Sequence, residues 1–231
     1  PDPRTLYWVD NGGNWYDTGH WSLSSGGPGG ECPPTPLDDI LFDANSFADP
    51  NQAVMGEEGP QYYAHDMTWL PGTRTPTLQL PALQLFGSLQ FDTPLNVDLP
   101  LLHLRGSEAG NTLTFAAQEL PELRIEGSGE WIIQDPLTAR LITHLRGALS
   151  TGGQPVEIER YNAFGEPEKN LALGNSRLLV NGDGSGSPSW NVLGARLSIE
   201  PGTSLLELTH PSAHLRTDLA GGAAAYHRIL F

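Results

Sequence analysis

A glycine-marked phrase recurs about every twenty residues and constrains the fold more than any other feature of the sequence. Its four copies are LQLFGS (83–88), LHLRGS (102–107), LRIEGS (123–128) and THLRGA (143–148), which place glycines at positions 87, 106, 127 and 147. Before each glycine, apolar residues alternate with polar ones, as they do in a β-strand. A small residue follows each glycine, which suits a tight corner. The phrase therefore predicts short strands separated by corners.

A period near twenty, with about three short strands in each turn, is typical of a sheet that coils and stacks on itself. We therefore predict an all-β protein, a right-handed parallel β-helix or solenoid. A β-sandwich is the alternative, because its strands also recur every 8 to 12 residues or so and the spacing after residue 150 is irregular. A leucine-rich repeat is disfavoured, since its asparagine or cysteine ladder is not evident.

If the phrases are consecutive coils, their inward side chains stack in a ladder. The glycine spacing predicts this ladder as Leu85, Leu104, Ile125 and Leu145. We divide the chain into an aromatic- and glycine-rich N-terminal cap with the first strands, residues 1–77, and β-helix coils, residues 78–231. The interval from Gly147 to Gly182 stretches to 35 residues. Because insertions in repeats usually form loops, it predicts an inserted loop near 160–175.

The same register predicts a basic stripe on the outer face of neighbouring strands, which lie roughly 4.8 Å apart. Its members are His103, Arg105, Arg124, His144 and Arg146. One interpretation is a groove for an anionic chain, such as a uronic-acid or sulfated polysaccharide, whose acidic groups pair with arginine. The other is a solvated face whose arginines are balanced by Glu126 and nearby acids.

The charge balance argues against several partners. The chain has a formal net charge of −15, with eleven arginines and one lysine, so we expect no binding to nucleic acid. No apolar run approaches the roughly eighteen residues that span a bilayer, and we expect no membrane insertion. Cys32 is the single cysteine, which excludes an internal disulfide framework and a cysteine-built zinc site.

The N-terminal segment is rich in aromatic residues, including Trp8, Trp15 and Trp21. Exposed rings of this kind can stack on sugars. An open solenoid end, however, exposes apolar core and unpaired strand edges, and bulky aromatic residues are suited to cover it. We therefore favour a cap over a sugar platform.

Motifs for cofactors and catalysis are scarce. Asp38, Asp39, Asp43 and Asn45 offer oxygens, but their spacing matches no EF-hand loop, so we favour turn capping and predict no cofactor, with calcium left open. No G-x-S-x-G, phosphate-binding loop or H-E-x-x-H motif is present. The best enzymatic hypothesis is β-elimination on a uronic acid, with an arginine or histidine of the basic stripe as the base.

The N-terminal segment also resembles the recurrent opening of large secreted surface proteins of Bacteroidota, in which a tryptophan-rich phrase leads through glycine and proline to an acidic strand. The matching residues are Gly13-Asn14-Trp15, Asp17, His20-Trp21-Ser22, Pro36, Asp38-Asp39, Phe42-Asp43 and Ser46-Phe47. The resemblance implies a β-solenoid module of a long adhesin-like or gliding-associated protein, located outside the cell and exported by type IX secretion. It implies no active site.

From this resemblance we expect a non-catalytic structural and adhesive role at the cell surface. The expected partners are neighbouring modules of the same long chain and a polysaccharide or other surface ligand. The alternative is a carbohydrate-active β-helix enzyme, a polysaccharide lyase or glycoside hydrolase that acts on an anionic polysaccharide.

Overall fold

The computed structural model describes residues 2–70, 72–93, 95–192, 196–211, 214–217 and 225–231. Within these residues the chain is a stack of parallel β-coils, so the solenoid prediction is confirmed and the β-sandwich alternative is wrong. The one helical element of this described part is a single 3-10 turn, Thr18–His20. No helix there combines the length and apolar character needed to cross a membrane.

Three sheets form the walls of the solenoid. Sheet A contains β1 (Thr5–Trp8), β3 (Trp21–Ser22), β4 (Asp39–Phe42), β7 (Met67–Trp69), β10 (Leu89–Phe91), β13 (Asn111–Thr114), β15 (Glu130–Ile133), β17 (Gly147–Ser150), β19 (Lys169–Ala172) and β22 (Leu197–Glu200). Sheet B contains β2 (Gly13–Asn14), β5 (Ala53–Met55), β8 (Thr77–Gln79) and β11 (Asn96–Asp98). Sheet C contains β6 (Tyr63–Ala64), β9 (Leu83–Leu85), β12 (Leu101–Leu104), β14 (Glu119–Ile125), β16 (Leu137–His144), β18 (Val156–Ala163), β20 (Arg177–Val180), β21 (Trp190–Asn191), β23 (Leu205–Leu208), β24 (Leu215–Arg216) and β25 (Arg228–Leu230).

The inward ladder follows the predicted period for three coils and then changes register. Leu85, Leu104 and Ile125 pair in successive strands, as predicted, but the next partner is His144 and not Leu145. The glycine itself moves at the fourth corner: Gly87 lies two positions after Leu85, whereas Gly147 lies three positions after His144. Ala148 pairs with Glu130, so Gly147 is the counterpart of Gly129 and not of Gly127. Counting two positions back from Gly147 therefore gives Leu145 instead of His144. An error of one residue exchanges the inward and outward faces of a strand.

Half of the predicted insertion near 160–175 is strand. β18 ends at Ala163 and β19 begins at Lys169, so only residues 164–168 connect them. The longer spacing comes one coil later. Gly147 and Lys169 are paired residues 22 positions apart, whereas Lys169 and its partner Leu197 are 28 apart. The additional chain precedes β22 and includes the Asn181–Ser187 stretch.

Candidate functional site

The outer face of sheet C carries a column of hydrogen-bonding side chains, one from each of eight successively paired strands. We call it the polar column; its members are Tyr63, Gln84, His103, Arg124, Thr143, Asn162, Asn191 and Arg216. Its central members alternate with fully buried residues such as Leu102 and Leu104, and successive side chains of a strand face opposite sides of the sheet. The column is therefore a consequence of the apolar alternation that builds the core.

Of the five residues predicted for the basic stripe, His103 and Arg124 lie in the polar column, and Arg105 and Arg146 lie at the corners that follow their strands. Sequence reasoning missed Tyr63, Thr143 and the column members beyond them. Tyr63 and the members after Thr143 lie outside the four glycine phrases. Thr143 lies one position before His144, the residue that counting from the glycine selects. The strand alternation of each segment was the signal that could have identified them.

His144 is wrongly placed by the sequence prediction. Thr143 occupies its position in the column, and His144 is fully buried in the core. Its Nδ1 lies 2.8 Å from the Tyr161 hydroxyl and its Nε2 lies 3.0 Å from the Gly147 carbonyl oxygen. Burial lowers the pKa of His144 to about 4, although the hydrogen bond to Gly147 acts in the opposite direction. His144 is therefore a neutral core residue and does not face a ligand on the outer surface.

Glutamates balance two of the arginines. Arg105 Nε and Nη2 each lie 2.8 Å from Glu126 Oε2. Arg124 Nη2 lies 2.7 Å from Glu122 Oε1. The interpretation of a charge-balanced face therefore holds for Arg105 and Arg124. Arg146 is exposed and forms no ion pair with any residue that the structure describes, which leaves its guanidinium available to a ligand.

His103 contributes no positive charge to the column at neutral pH. Its ring is buried, and burial lowers its pKa, although the nearby Glu126 carboxylate partly offsets this effect. Nδ1 lies 3.3 Å from Glu126 Oε2 without the geometry of a hydrogen bond. The local positive potential therefore comes from arginine alone.

The cap aromatics do not present free ring faces. Trp8, Trp15 and Trp21 are each at most 1% exposed, and Trp21 packs at centroid distances of 5.1 Å from both of the other rings. Trp8 lies in β1 and Trp21 in β3, and these two strands form the one antiparallel pair among the described strand pairs; Trp15 follows β2. The three indoles are thus interior packing of the first coil, and a sugar cannot stack on them in this arrangement.

The acidic residues for which calcium was left open are engaged in turns. The Asp38 carboxylate accepts hydrogen bonds from Arg4 Nε at 2.9 Å and Arg4 Nη2 at 2.8 Å. It also accepts hydrogen bonds from the backbone and side chain of Thr35. Asp43 Oδ1 accepts the Asn45 amide at 2.8 Å. These contacts are those of turn capping and an ion pair, and none of them requires a cation.

A different trio, Asp39, His65 and Asp66, has the donor types that bind transition metals. Its three ligand atoms lie within 4.8 Å of one another. Each is also satisfied by the protein: His65 Nδ1 lies 2.9 Å from Asp39 Oδ1, and Asp66 Oδ1 accepts the Ser88 amide at 2.6 Å. The trio could hold a metal, but its contacts are equally those of a hydrogen-bonded corner.

Asp38→Asn is expected to lower the free energy of unfolding by roughly 2 kcal/mol at pH 7, because it removes the buried partner of Arg4. Burial alone would raise the pKa of Asp38, but the hydrogen bonds from Arg4 and Thr35 outweigh it and lower the pKa to about 2. The contribution is therefore present above pH 3.8, the ordinary value, and is lost as the pH falls towards 2. Urea unfolding at several pH values measures both effects.

Asp43→Asn is the matched control for Asp38→Asn, because asparagine keeps the oxygen that caps the turn. We expect a change below about 0.5 kcal/mol for this variant. Stabilisation of the wild-type chain by added calcium, abolished in both variants, would contradict the assignment of these aspartates to turns.

Separate comparisons with protein-family models, curated proteins and solved structures found no match to this chain. The resemblance to surface proteins of Bacteroidota therefore stays a prediction, and the candidate site is defined by the geometry of the polar column and its flanking arginines.

Proposed function

We propose that this chain is a non-catalytic structural and adhesive module of a larger secreted bacterial surface protein, and that its polar column contacts a glycan or other surface. The polar column carries this proposal. It places a hydrogen-bonding side chain on each of eight adjacent strands, over roughly 34 Å at the usual strand spacing. Gln84, His103 and Thr143 are buried, and the members at least partly exposed to a ligand are Tyr63, Arg124, Asn162, Asn191 and Arg216. An extended polymer with repeating hydroxyl or acidic groups can make several contacts along such a column at once.

The strand edges support the structural part of the proposal. Within the described residues, β22 and β25 each pair with a neighbour on one side only. Unpaired parallel edges accept a further strand by main-chain hydrogen bonding. We infer that neighbouring modules of the same long chain are the natural partners at these edges. The N-terminal resemblance supports a location outside the cell and export by type IX secretion.

Binding of the chain to a glycan array tests the adhesive role. We expect retention on acidic glycans, and we expect Arg146→Ala to weaken it by about tenfold, the effect of one charge-assisted contact. Arg105→Ala should weaken it less, because Arg105 is already paired with Glu126. Arg74→Ala removes the same charge from an exposed position outside sheet C and serves as the control.

Two results would contradict this function. Absence of binding to any glycan on the array would remove the adhesive role. Formation of an unsaturated uronate product during incubation with an acidic polysaccharide would replace it with the lyase alternative, because a binding module leaves its polymer intact.

A further inference from the structure

A pocket opens on the outside of sheet C where the pairing of the long strands is interrupted without a change of register. β14 and β16 pair up to Leu120 and Ala139 and resume at Glu122 and Leu141, so the pairing passes over Pro121 and Arg140. The same interruption continues into β18 at Glu159. The resulting cavity, which we call the junction pocket, has a volume of about 390 Å³. This volume lies within the usual range of small-ligand sites.

The junction pocket combines apolar and charged walls. Pro121 and Leu141 contribute apolar surface, and the charged lining comes from Glu122, Arg140, Glu159, Arg160 and Asp183. Pockets with an apolar surface and a few convergent polar groups are the usual form of a small-molecule site. A pyranose ring has the matching amphipathic character, with C–H faces and a polar edge.

Three of the charged residues are already paired. Arg160 Nε lies 3.2 Å from Asp183 Oδ2, although without the geometry of a hydrogen bond. Glu122 Oε1 accepts hydrogen bonds from Arg124 Nη2 at 2.7 Å and from the Thr143 hydroxyl at 3.0 Å. These contacts fix one side of the pocket and leave little capacity there for a ligand.

Arg140 and Glu159 differ from these residues. They occupy matching positions on β16 and β18, and neither side chain has a hydrogen bond or ion pair with any residue that the structure describes. A guanidinium and a carboxylate without partners thus stand side by side at the pocket. Arginine is suited to bind a carboxylate through two parallel hydrogen bonds, and a carboxylate accepts hydrogen bonds from hydroxyl groups.

We propose that the junction pocket binds one uronate residue of an acidic polysaccharide. Arg140 receives the uronate carboxylate, Glu159 accepts hydrogen bonds from ring hydroxyls, and Pro121 and Leu141 contact the C–H face. This inference rests on the proposed adhesive function and specifies its ligand class and binding site. A neutral sugar of the same size lacks the group that pairs with Arg140 and should bind at least tenfold more weakly.

Titration of the full chain with methyl glucuronide, followed by backbone amide NMR shifts and by calorimetry, tests the site. We expect shifts at the junction of β14, β16 and β18, with little change around Arg146. Methyl glucoside is the neutral probe. Arg140→Ala should weaken uronide binding at least tenfold and Glu159→Gln by a smaller factor, whereas Arg74→Ala should leave it unchanged. Arg140 is exposed, so its substitution should leave folding intact.

The outcomes separate this site from the adhesive function. Equal uronide binding by the wild-type chain and Arg140→Ala would overturn the site. If array binding were then lost in Arg146→Ala alone, the result would support the adhesive function and contradict a uronate site in the junction pocket. Uronide binding at the pocket without retention on any polymer would support the uronate site and contradict the adhesive function. Absence of both kinds of binding would overturn both proposals.

Discussion

Replacement of Gly106 by alanine is expected to destabilise the protein by about 3 kcal/mol, near the upper end of ordinary single substitutions. A β-carbon at this position would lie 1.8 Å from the backbone carbonyl oxygen of Phe86 in the preceding coil. The obstacle is backbone, which cannot rotate away as a side chain can. The two coils would have to separate locally, and the stacked pairing of β9 and β12 would weaken. Urea unfolding followed by circular dichroism measures the loss.

Gly186→Ala is the matched control for this substitution. Gly186 has φ +79, and a β-carbon there would meet no atom within 4 Å. Its alanine variant carries only the strain of the left-handed backbone conformation, about 1 to 2 kcal/mol. A loss for Gly106→Ala no larger than that for Gly186→Ala would show that close stacking at the corner is not what requires glycine.

The corner glycines explain why the period was predictable from sequence. A β-carbon at Gly127 would lie 2.1 Å from the Gly106 carbonyl oxygen, so successive corners exclude side chains for the same steric reason. A glycine required by stacking must recur once in each coil, and the sequence therefore displays the coil length. The prediction failed at the fourth corner, where Gly147 is the counterpart of Gly129 and not of Gly127, so the glycine spacing no longer followed the strand register.

The candidate site was only partly predictable. Balance of the arginines by Glu126 and nearby acids was one of the two interpretations, and it agrees with the ion pairs of Arg105 and Arg124 but not with Arg146. The junction pocket was not foreseen, because Pro121 marks only the break between β14 and β16, and no residue type marks its continuation to Glu159 on β18. The unpaired state of these two side chains depends on distances between strands, and a single sequence does not contain such distances.

Acidification from pH 6.5 to 4 is expected to reduce the stability of the fold through His144. The ordinary pKa of histidine is 6.5, and burial lowers that of His144 to about 4 in the folded protein. Between pH 4 and 6.5, His144 is protonated in the unfolded chain but neutral in the folded chain. The stability is therefore fully present above pH 6.5, falls as the pH drops, and levels off near pH 4. The loss from this residue is roughly 3 kcal/mol.

The hydrogen bonds of His144 explain why its neutral form is required. The Gly147 carbonyl can only accept, so Nε2 must donate to it and Nδ1 must accept from the Tyr161 hydroxyl. Burial raises the pKa of Tyr161 well above 10, which keeps that hydroxyl a donor. Protonation of Nδ1 would make the Tyr161 hydroxyl accept instead of donate, leave its own proton without this partner, and bury an uncompensated charge.

His144→Gln offers one amide donor and one amide acceptor and cannot titrate. We expect this variant to be less stable at pH 7 but to have a shallower decline between pH 6.5 and 4, with the remaining slope from groups such as His103, whose pKa is also lowered. Urea unfolding of both proteins across this range gives the difference. Parallel stability curves, or titration of the native His144 ring near pH 6.5 by NMR, would contradict the neutral core histidine. If the His144 ring remains neutral at pH 5 in the folded chain, the residue that the sequence predicted as a surface ligand is instead a pH-sensitive part of the core.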